Sequence, residues 1–356
     1  MPQWTHQIVD TKSGTRLTNV DVADWPYQTL ANTAGQGTCD VVVRGSGLTK
    51  SDWDDLLRPR DRTIVHSLDG FAMYAGLIER ETWDGASGVS KVASIEMRAM
   101  ASRRYPFSVP TYNAGFAFDV SGKSWRGIAR AIVKAGFHSI PGDSFHLPII
   151  LPADEAGTQS KHEPWNEFKL VEDLLREVQD RDGGPDIYFD PVWSSSGKLE
   201  WWLKIGSPRL DGPTFESRAT GSYIDGLKVI VDGSKQLTGV FGIGSGQGHR
   251  RVVGKAGSIA GPSIPDMDAP VSFTKVDVQS EADSLAMAHL KAHRTATTAW
   301  SFDMVMDGSW APHELRPGST VRIWHDGDER VAAGWRDEYV TSVSGGPSEV
   351  MRVGVR

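Results

Sequence analysis

The spacing of apolar positions divides the chain into strand-like, helix-like and again strand-like stretches. From Ile8 to about Met100, short apolar segments alternate with turn residues. Lys12-Ser13-Gly14 predicts a hairpin, and Cys39 to Val43 a short buried strand. Asp84-Gly85 and Ser87-Gly88 predict the turn after a strand near Leu77 to Trp83. In the strand that follows, Ile95, Met97 and Ala99 alternate with Ser94, Glu96 and Arg98, the period-2 mark of a half-buried strand.

The middle of the chain changes period. Trp125, Ile128, Ala129, Ile132 and Val133 fall on one face of a helix, with Ser124 as N-cap and Gly136 as its stop. A second helix is predicted from Pro164, with the stripe Trp165, Phe168, Val171, Leu175 and Val178, ending before Gly183-Gly184-Pro185. A proline-rich stretch within residues 140–164 reads as an extended arm or loop.

Strands resume at Ile187, and Trp201, Leu203 and Ile205 share one face. A hairpin is predicted around Asp232-Gly233, and a turn-rich linker or exposed loop from Gly254 to Pro270. Ser280 and Asp283 make a capping box for a helix carrying Ala282, Leu285, Ala286, His289 and Leu290, and strands close the chain.

One internal repeat stands out. Leu57, Arg58, Pro59, Ala75 and Gly76 match Leu315, Arg316, Pro317, Ala333 and Gly334 at one offset (317 − 59 = 258). Each copy holds an Asp-Gly near its middle, Asp69-Gly70 and Asp326-Gly327. Equal spacing without a gap points to one β-module used twice. The expected fold is therefore a β-rich α+β chain, two similar β-barrel-like modules with a mainly helical insertion between them. The expected boundaries are 1–113 for the first module, 114–189 for the insertion, 190–272 for a β-rich lead-in and 273–356 for the closing part of the second module.

Composition narrows the function. The formal charge is −7 with no basic block, which argues against sequence-specific DNA binding. Cys39 is the sole cysteine, so neither an intrachain disulfide nor a thiolate zinc cluster is possible. No apolar run approaches the ~20 residues of a membrane span. The first ten residues, MPQWTHQIVD, lack signal-peptide character, and the expectation is synthesis in a reducing cytoplasm.

Ala117 to Ser124 reads A-x-x-x-x-G-K-S, a loose phosphate-loop pattern. A working cradle needs backbone N–H groups converging without Cβ atoms in the way. Phe118, Asp119, Val120 and Ser121 supply no glycine, Asp119 repels phosphate, and the preceding segment is a poor parallel strand. The preferred reading is a turn at Gly122 with Ser121 or Ser124 capping the helix. GIGSGQG, from Gly242 to Gly248, lacks the G-x-G-x-x-G spacing and reads as a loop, with His249-Arg250-Arg251 solvated beside it.

His289 and His293 have the spacing of two metal ligands on a helix, but no third ligand is evident. Asp54, Asp55 and Asp84 lie in polar turns. Of Trp201 and Trp202 only one can face a sugar, because adjacent strand residues point to opposite faces. No catalytic, cofactor-binding or metal residue is assigned, and no enzyme is expected.

The order of segments resembles the tail-hub, or baseplate-hub, proteins of tailed bacteriophages, in the minor tail protein form of long-tailed phages of high-GC Gram-positive hosts. The residues that carry the resemblance are WPYQTLANTAGQGTCDVVV from Trp25, LRPRDRTIVH followed by YAGLIERE, FDVSGKSWRGIARAIVKAG, SEADSLAMAHLKAHR, LRPGSTVRIW and AAGWRDEYVTSV. It covers nearly the whole chain through diffuse motifs. It implies a structural homotrimer at the distal end of a tail tube, two similar barrels per subunit adapting a sixfold tube to a threefold tip. Distal tail protein, tape-measure protein and tail tip or fibre proteins are the implied partners, with DNA passing through the lumen. Two other readings stay open: a carbohydrate-binding or carbohydrate-active protein, suggested by the 13 tryptophans, and, ranked lower, a nucleotide-binding enzyme.

Overall fold

The computed structural model describes residues 3–138, 146–181, 183–216, 224–257, 264–273, 276–306 and 310–355. The chain packs as two compact units, Met1–Leu227 with Phe302–Arg356, and Lys228–Ser301.

The first unit begins with β1 (Trp4–Asp10), β2 (Arg16–Asn19), β3 (Tyr27–Leu30), β4 (Gln36–Val42), α1 (Lys50–Leu56), β5 (Arg62–Leu68), β6 (Phe71–Asp84) and β7 (Val89–Glu96). These strands lie in the order β3-β4-β7-β6-β5-β1-β2, antiparallel throughout. Asp69 and Gly70 both take positive φ (50° and 85°), which matches a tight hairpin turn to the right-handed twist of β5 and β6. β5 is buried along its whole length because both of its faces are covered. Ile64, with Ile8 and Ile78, shares a core with Trp53 and Leu56 of α1 and with Leu57 at its C-cap, whereas Val65, with Val9 and Leu77, joins the core of the following insertion.

The insertion comprises β8 (Ala117–Lys123), α2 (Trp125–Phe137), β9 (Ile149–Ile150), β10 (Ala156–Pro164), α3 (Val171–Gln179), β11 (Ile187–Trp193) and β12 (Leu199–Ile205). α2 forms as the spacing predicts: Ser124 accepts from the Gly127 amide at 3.1 Å, and Ile128, Ala129, Ile132 and Val133 are fully buried. It runs one residue past the expected stop, to Phe137. The second helix starts later than predicted. Trp165–Glu167 is a single 3-10 turn, Phe168 adopts a left-handed conformation (φ 50°), and α3 begins only at Val171. Trp165 and Phe168 belong to an aromatic cluster with Phe107 and Tyr112, so their apolarity serves a different surface. Of the proline-rich stretch, residues 140–145 lie outside the described residues; Ile149–Ile150 and Ala156–Pro164 are strands.

The chain continues with β13 (Thr214–Glu216), β14 (Ile224–Asp232), β15 (Gly239–Ile243), β16 (Val253–Gly257), β17 (Asp268–Ser272), α4 (Gln279–His293), β18 (Thr297–Val305), β19 (Thr320–His325), β20 (Gly334–Gly345) and β21 (Val350–Val355). The unit Lys228–Ser301 contains a three-stranded sheet, β16-β15-β17, whose Val240 and Ala256 pack on Ala286 and Leu290 of α4. Gly254 has a reason to be glycine: a Cβ there would stand 2.1 Å from the Ala282 carbonyl oxygen.

Three expectations are corrected here. β14 and β15 form no hairpin about Asp232-Gly233, because β14 pairs with β18 and β15 with β16 and β17. The predicted linker is bounded by paired strands, since Val253–Gly257 and Asp268–Ser272 both pair with β15, and residues 258–263 lie outside the described residues. The Ser280/Asp283 box does not form. The helix starts at Gln279 after Val278, and the Asp283 carboxylate accepts instead from the Lys255 amide at 2.9 Å.

The repeat in the sequence is a repeat in the fold. β5 and β19 begin at Arg62 and Thr320, again 258 apart, and each opens an antiparallel three-strand meander, β5-β6-β7 and β19-β20-β21. The strand beside the third is β4 in the first copy and β18 in the second, and beyond those lie β3 and β14. Two modules therefore share the order β3-β4-β7-β6-β5 and β14-β18-β21-β20-β19, with a helical segment between β-rich parts. They differ at the outer end, where β1 runs antiparallel to β5 but β13 runs parallel to β19.

Candidate functional site

The sequence-level candidates for chemistry are not gathered into one place. Ser121, Gly122 and Lys123 end strand β8, paired with β10, so the phosphate-loop pattern is neither a loop nor the turn expected at Gly122. Lys123 Nζ is bound to Asp154 at 2.5 Å, and Asp119 to His162 Nδ1 at 2.5 Å. Gly242 and Ile243 belong to β15, and Gly246 and Gly248 take positive φ in the bends that follow, without a helix of useful length. His289 and His293 stack at 4.3 Å, and His293 Nδ1 contacts the His289 carbonyl; no group of three metal-ligating side chains occurs among the described residues.

Asp54 and Asp55 are held by Lys50 and by Arg58 and Arg62. Asp84 accepts from Ser87 and the Ala86 amide, which lowers its carboxyl below the usual range, the reverse of what a general acid needs. Trp201 is buried, while Trp202 points outward with Nε1 on Glu200 at 3.3 Å.

What the fold does build is a seam between the two modules. The last four residues of β20 pair antiparallel with β3: Ser342 with Leu30, Val343 with Thr29, Ser344 with Gln28 and Gly345 with Tyr27. Two polar bridges reinforce it. The Asp186 carboxylate accepts from Asn32 Nδ2 at 2.5 Å and from the Tyr339 hydroxyl at 2.9 Å, so one side chain ties the β3–β4 turn to β20. Arg316 donates to the Ala72 carbonyl oxygen at 2.6 Å and lies 3.2 Å from Asp190, whose other oxygen meets Lys204 at 2.7 Å. The repeat partner of Arg316 behaves differently: Arg58 is half exposed and pairs locally with Asp55 and Asp61. At one repeat position, then, the second arginine bridges segments from a largely covered place while the first stays at the surface.

Beside the seam, the strand expected to alternate through Ala99 stops at Glu96: Met97–Arg103 is a 3-10 helix in which the adjacent Met97 and Arg98 are both buried, and the facing of β7 itself differs as well. Its buried set is Ser90, Val92, Ser94 and Glu96, while Ile95 is only half buried. The cause is the Tyr74 side chain, which lies over Gly37 and Gly76: a Cβ would come within 2.9 Å of its ring at Gly37 and 2.3 Å of its hydroxyl oxygen at Gly76. Its hydroxyl meets Ser94 Oγ at 3.0 Å, and Ser94 donates to the Gly37 carbonyl. Glu96 accepts from the Gly35 amide at 2.6 Å. Polar side chains turn inward here because tyrosine and backbone groups supply partners.

Burial pushes the Glu96 carboxyl up to about 8. On the same sheet His6 and His66 meet Nδ1 to Nδ1 at 2.9 Å, and burial pulls His6 down to about 4 and His66 well below the usual value. The two kinds of group bend stability in opposite directions. A carboxyl raised in the folded state contributes stability below its unfolded value, lost as pH rises through about 8. A lowered histidine contributes stability above its unfolded value, lost as pH falls through about 4. Urea unfolding between pH 5 and pH 9 should show a decline toward pH 9 that Glu96→Gln reduces, leaving the smaller part contributed by the raised Glu338 carboxyl. An unchanged decline in that variant would refute the assignment.

No family model and no curated protein matches this sequence. Solved structures do. The tail protein from Neisseria meningitidis MC58 superposes with a TM-score of 0.53 at 12% identity, over 99% of this chain and 95% of that one. The 43 kDa tail protein of prophage MuSo2 from Shewanella oneidensis gives 0.53 at 8% identity, over 99% and 98%. The fold is that of phage tail proteins. A lidless PdpA-VgrG complex also matches this fold, with a TM-score of 0.50 at 10% identity over 100% of this chain and 64% of that one. The tail-protein fold thus spans the whole chain, duplicated modules and insertion included. Among the described residues no helix is long and apolar enough to cross a membrane.

Proposed function

We propose that this chain is the hub at the distal end of a phage tail tube, a structural virion protein without catalytic activity. Three copies form a ring in which two similar modules per chain present six similar units to the tube and three to the tip. The observation that carries the reading is the strand order shared by the two modules at the 258-residue offset. A closed ring arises when one heterologous contact repeats at a fixed rotation, and a duplicated module lets three chains fill six places. The net charge of −7 suits a conduit whose wall must not hold the phosphates of passing DNA.

In this reading modules at 1–113 and within 190–356 flank the insertion 114–189. The ring contacts the distal tail and tape-measure proteins on one side and tip or fibre proteins on the other, and assembles in the host cytoplasm. Light scattering of the purified protein is expected to give three times the chain mass of 38.9 kDa. Negative-stain images are expected to show six similar lobes around a channel. A stable monomer at high concentration would overturn the proposal.

A further inference from the structure

The seam between the modules has an unfilled counterpart. In the second module β20 uses one edge for β21 and shares the other: Gly334–Tyr339 pair with β19, and Ser342–Gly345 pair with β3. β6 is its equivalent in the first module. One edge of β6 pairs with β7, and on the other β5 covers Phe71–Leu77. The last four residues, Glu81–Asp84, have no strand on that second edge among the described residues. They hold the place that Ser342–Gly345 hold in β20, immediately before the turn to the third strand.

The other half of the missing pair is also present. β3 is the outer strand of the first module, and its free edge is what β20 takes up. β14 is the outer strand of the second, paired among the described residues with β18 alone. It runs nine residues and leaves Val229, Ile230 and Val231 exposed in succession, at 39, 51 and 57%. A long apolar edge strand invites pairing with another chain unless charge, proline or a bulge blunts it. The β6 terminus carries a matching exposed apolar side chain, Trp83, over a cavity of about 590 Å³ formed with Val43, Leu48, Trp53 and Leu57. Lys228 on β14 and Glu81 on β6 add opposite charges.

We infer that β14 of one copy pairs antiparallel with Glu81–Asp84 of β6 in the next copy, reproducing between chains the β3–β20 pairing seen within each chain. This inference rests on the ring reading above and names the contact that closes it. The contact is heterologous, since β6 and β14 are different strands, so it propagates in one direction and must close on itself or grow. With alternating internal and external seams of one kind, three chains give six equivalent junctions.

Cysteine cross-linking of the full chain tests the pairing. Thr82→Cys is combined in turn with cysteine at each position from Gly226 to Val231, under mild oxidation. Cys39 stays silent because it is buried and its thiol is pushed up to about 12. The expected result is a covalent ladder that stops at three chains, for one or two alternate β14 positions, because a disulfide needs its Cα atoms within roughly 7 Å. The single variants should not cross-link. A dimer from Thr82→Cys alone, or no cross-link at any position in a protein that light scattering shows to be trimeric, would overturn the strand pairing and leave the trimer standing.

A monomeric wild type would remove both. As an independent readout, Ile230→Asp sets a carboxylate against Glu81 and Asp84. It should raise the concentration at which trimers half-dissociate by about tenfold or more. An unchanged midpoint would count as refutation.

Discussion

Glu172→Leu is expected to lower the free energy of unfolding by about 3–5 kcal/mol. Glu172 lies at the start of α3 and meets Arg98 through both oxygens, at 3.1 and 3.2 Å, with only 8% of the carboxylate side chain and 3% of the arginine exposed. Burial already pulls the Arg98 guanidinium below its usual value, so the charge is held by its partners. Removing the carboxylate leaves a guanidinium with only Gln179 Oε1 at 2.7 Å and the Ile187 carbonyl oxygen at 3.4 Å. The reciprocal change, Arg98→Leu, should cost less, because Glu172 keeps Arg176 at 2.9 Å. Replacing both members with methionine should recover most of the loss, since a buried pair of charges seldom outperforms apolar packing of similar volume. Urea denaturation of the three variants checks the order; equal losses in both single variants would contradict it.

Trp201→Ala should cost about 3–5 kcal/mol, and Trp202→Ala less than about 0.5 kcal/mol. The two residues are neighbours in β12 and equal in size, but Trp201 is 1% exposed and Trp202 47%. Trp201 lies in the same core as Ile132 and Val133 of α2, Leu174 of α3 and Phe189 of β11. Truncation there leaves a cavity bounded by secondary structure on several sides, which collapses poorly. Trp202 loses one hydrogen bond to Glu200 and an outward surface. The measurement is the unfolding midpoint of each variant. A Trp202→Ala loss comparable with that of Trp201→Ala would mean that the outer face of β12 is covered by a partner under the conditions used.

Local chemistry was legible wherever one element decides its own conformation. α2 could be read from Ser124 and the spacing of Ile128, Ala129, Ile132 and Val133, because a cap and an apolar stripe act within a few residues. The β12 face followed from the alternation of Trp201, Leu203 and Ile205. α1 went unread although its signal was present: Thr49 accepts from the Asp52 amide and Asp52 from the Thr49 amide, a capping box as clear as the one that failed at Ser280. The difference lies in competition. Asp283 has a strand amide, Lys255, within reach, and a side chain that can satisfy a tertiary donor is lost to the cap. The Pro164 start failed for a related reason, because aromatic residues at helical spacing also build clusters between elements.

No residue chemistry of the site could have been read as chemistry, because the seam consists largely of backbone pairing. The sequence by itself determined the apolar stripe and cap of α2, the alternating face of β12 and the 258-residue spacing of two like modules, all properties of residues close in the chain or identical along it. Tertiary structure alone decided that Ser94 and Glu96 face inward, that the Arg316 side chain is 12% exposed while that of Arg58 is 52%, and that β20 divides its edge between β19 and β3. Alternation gives two faces without saying which is covered, and a strand edge presents the same N–H and C=O groups whatever its side chains. Those choices are made only when distant segments meet.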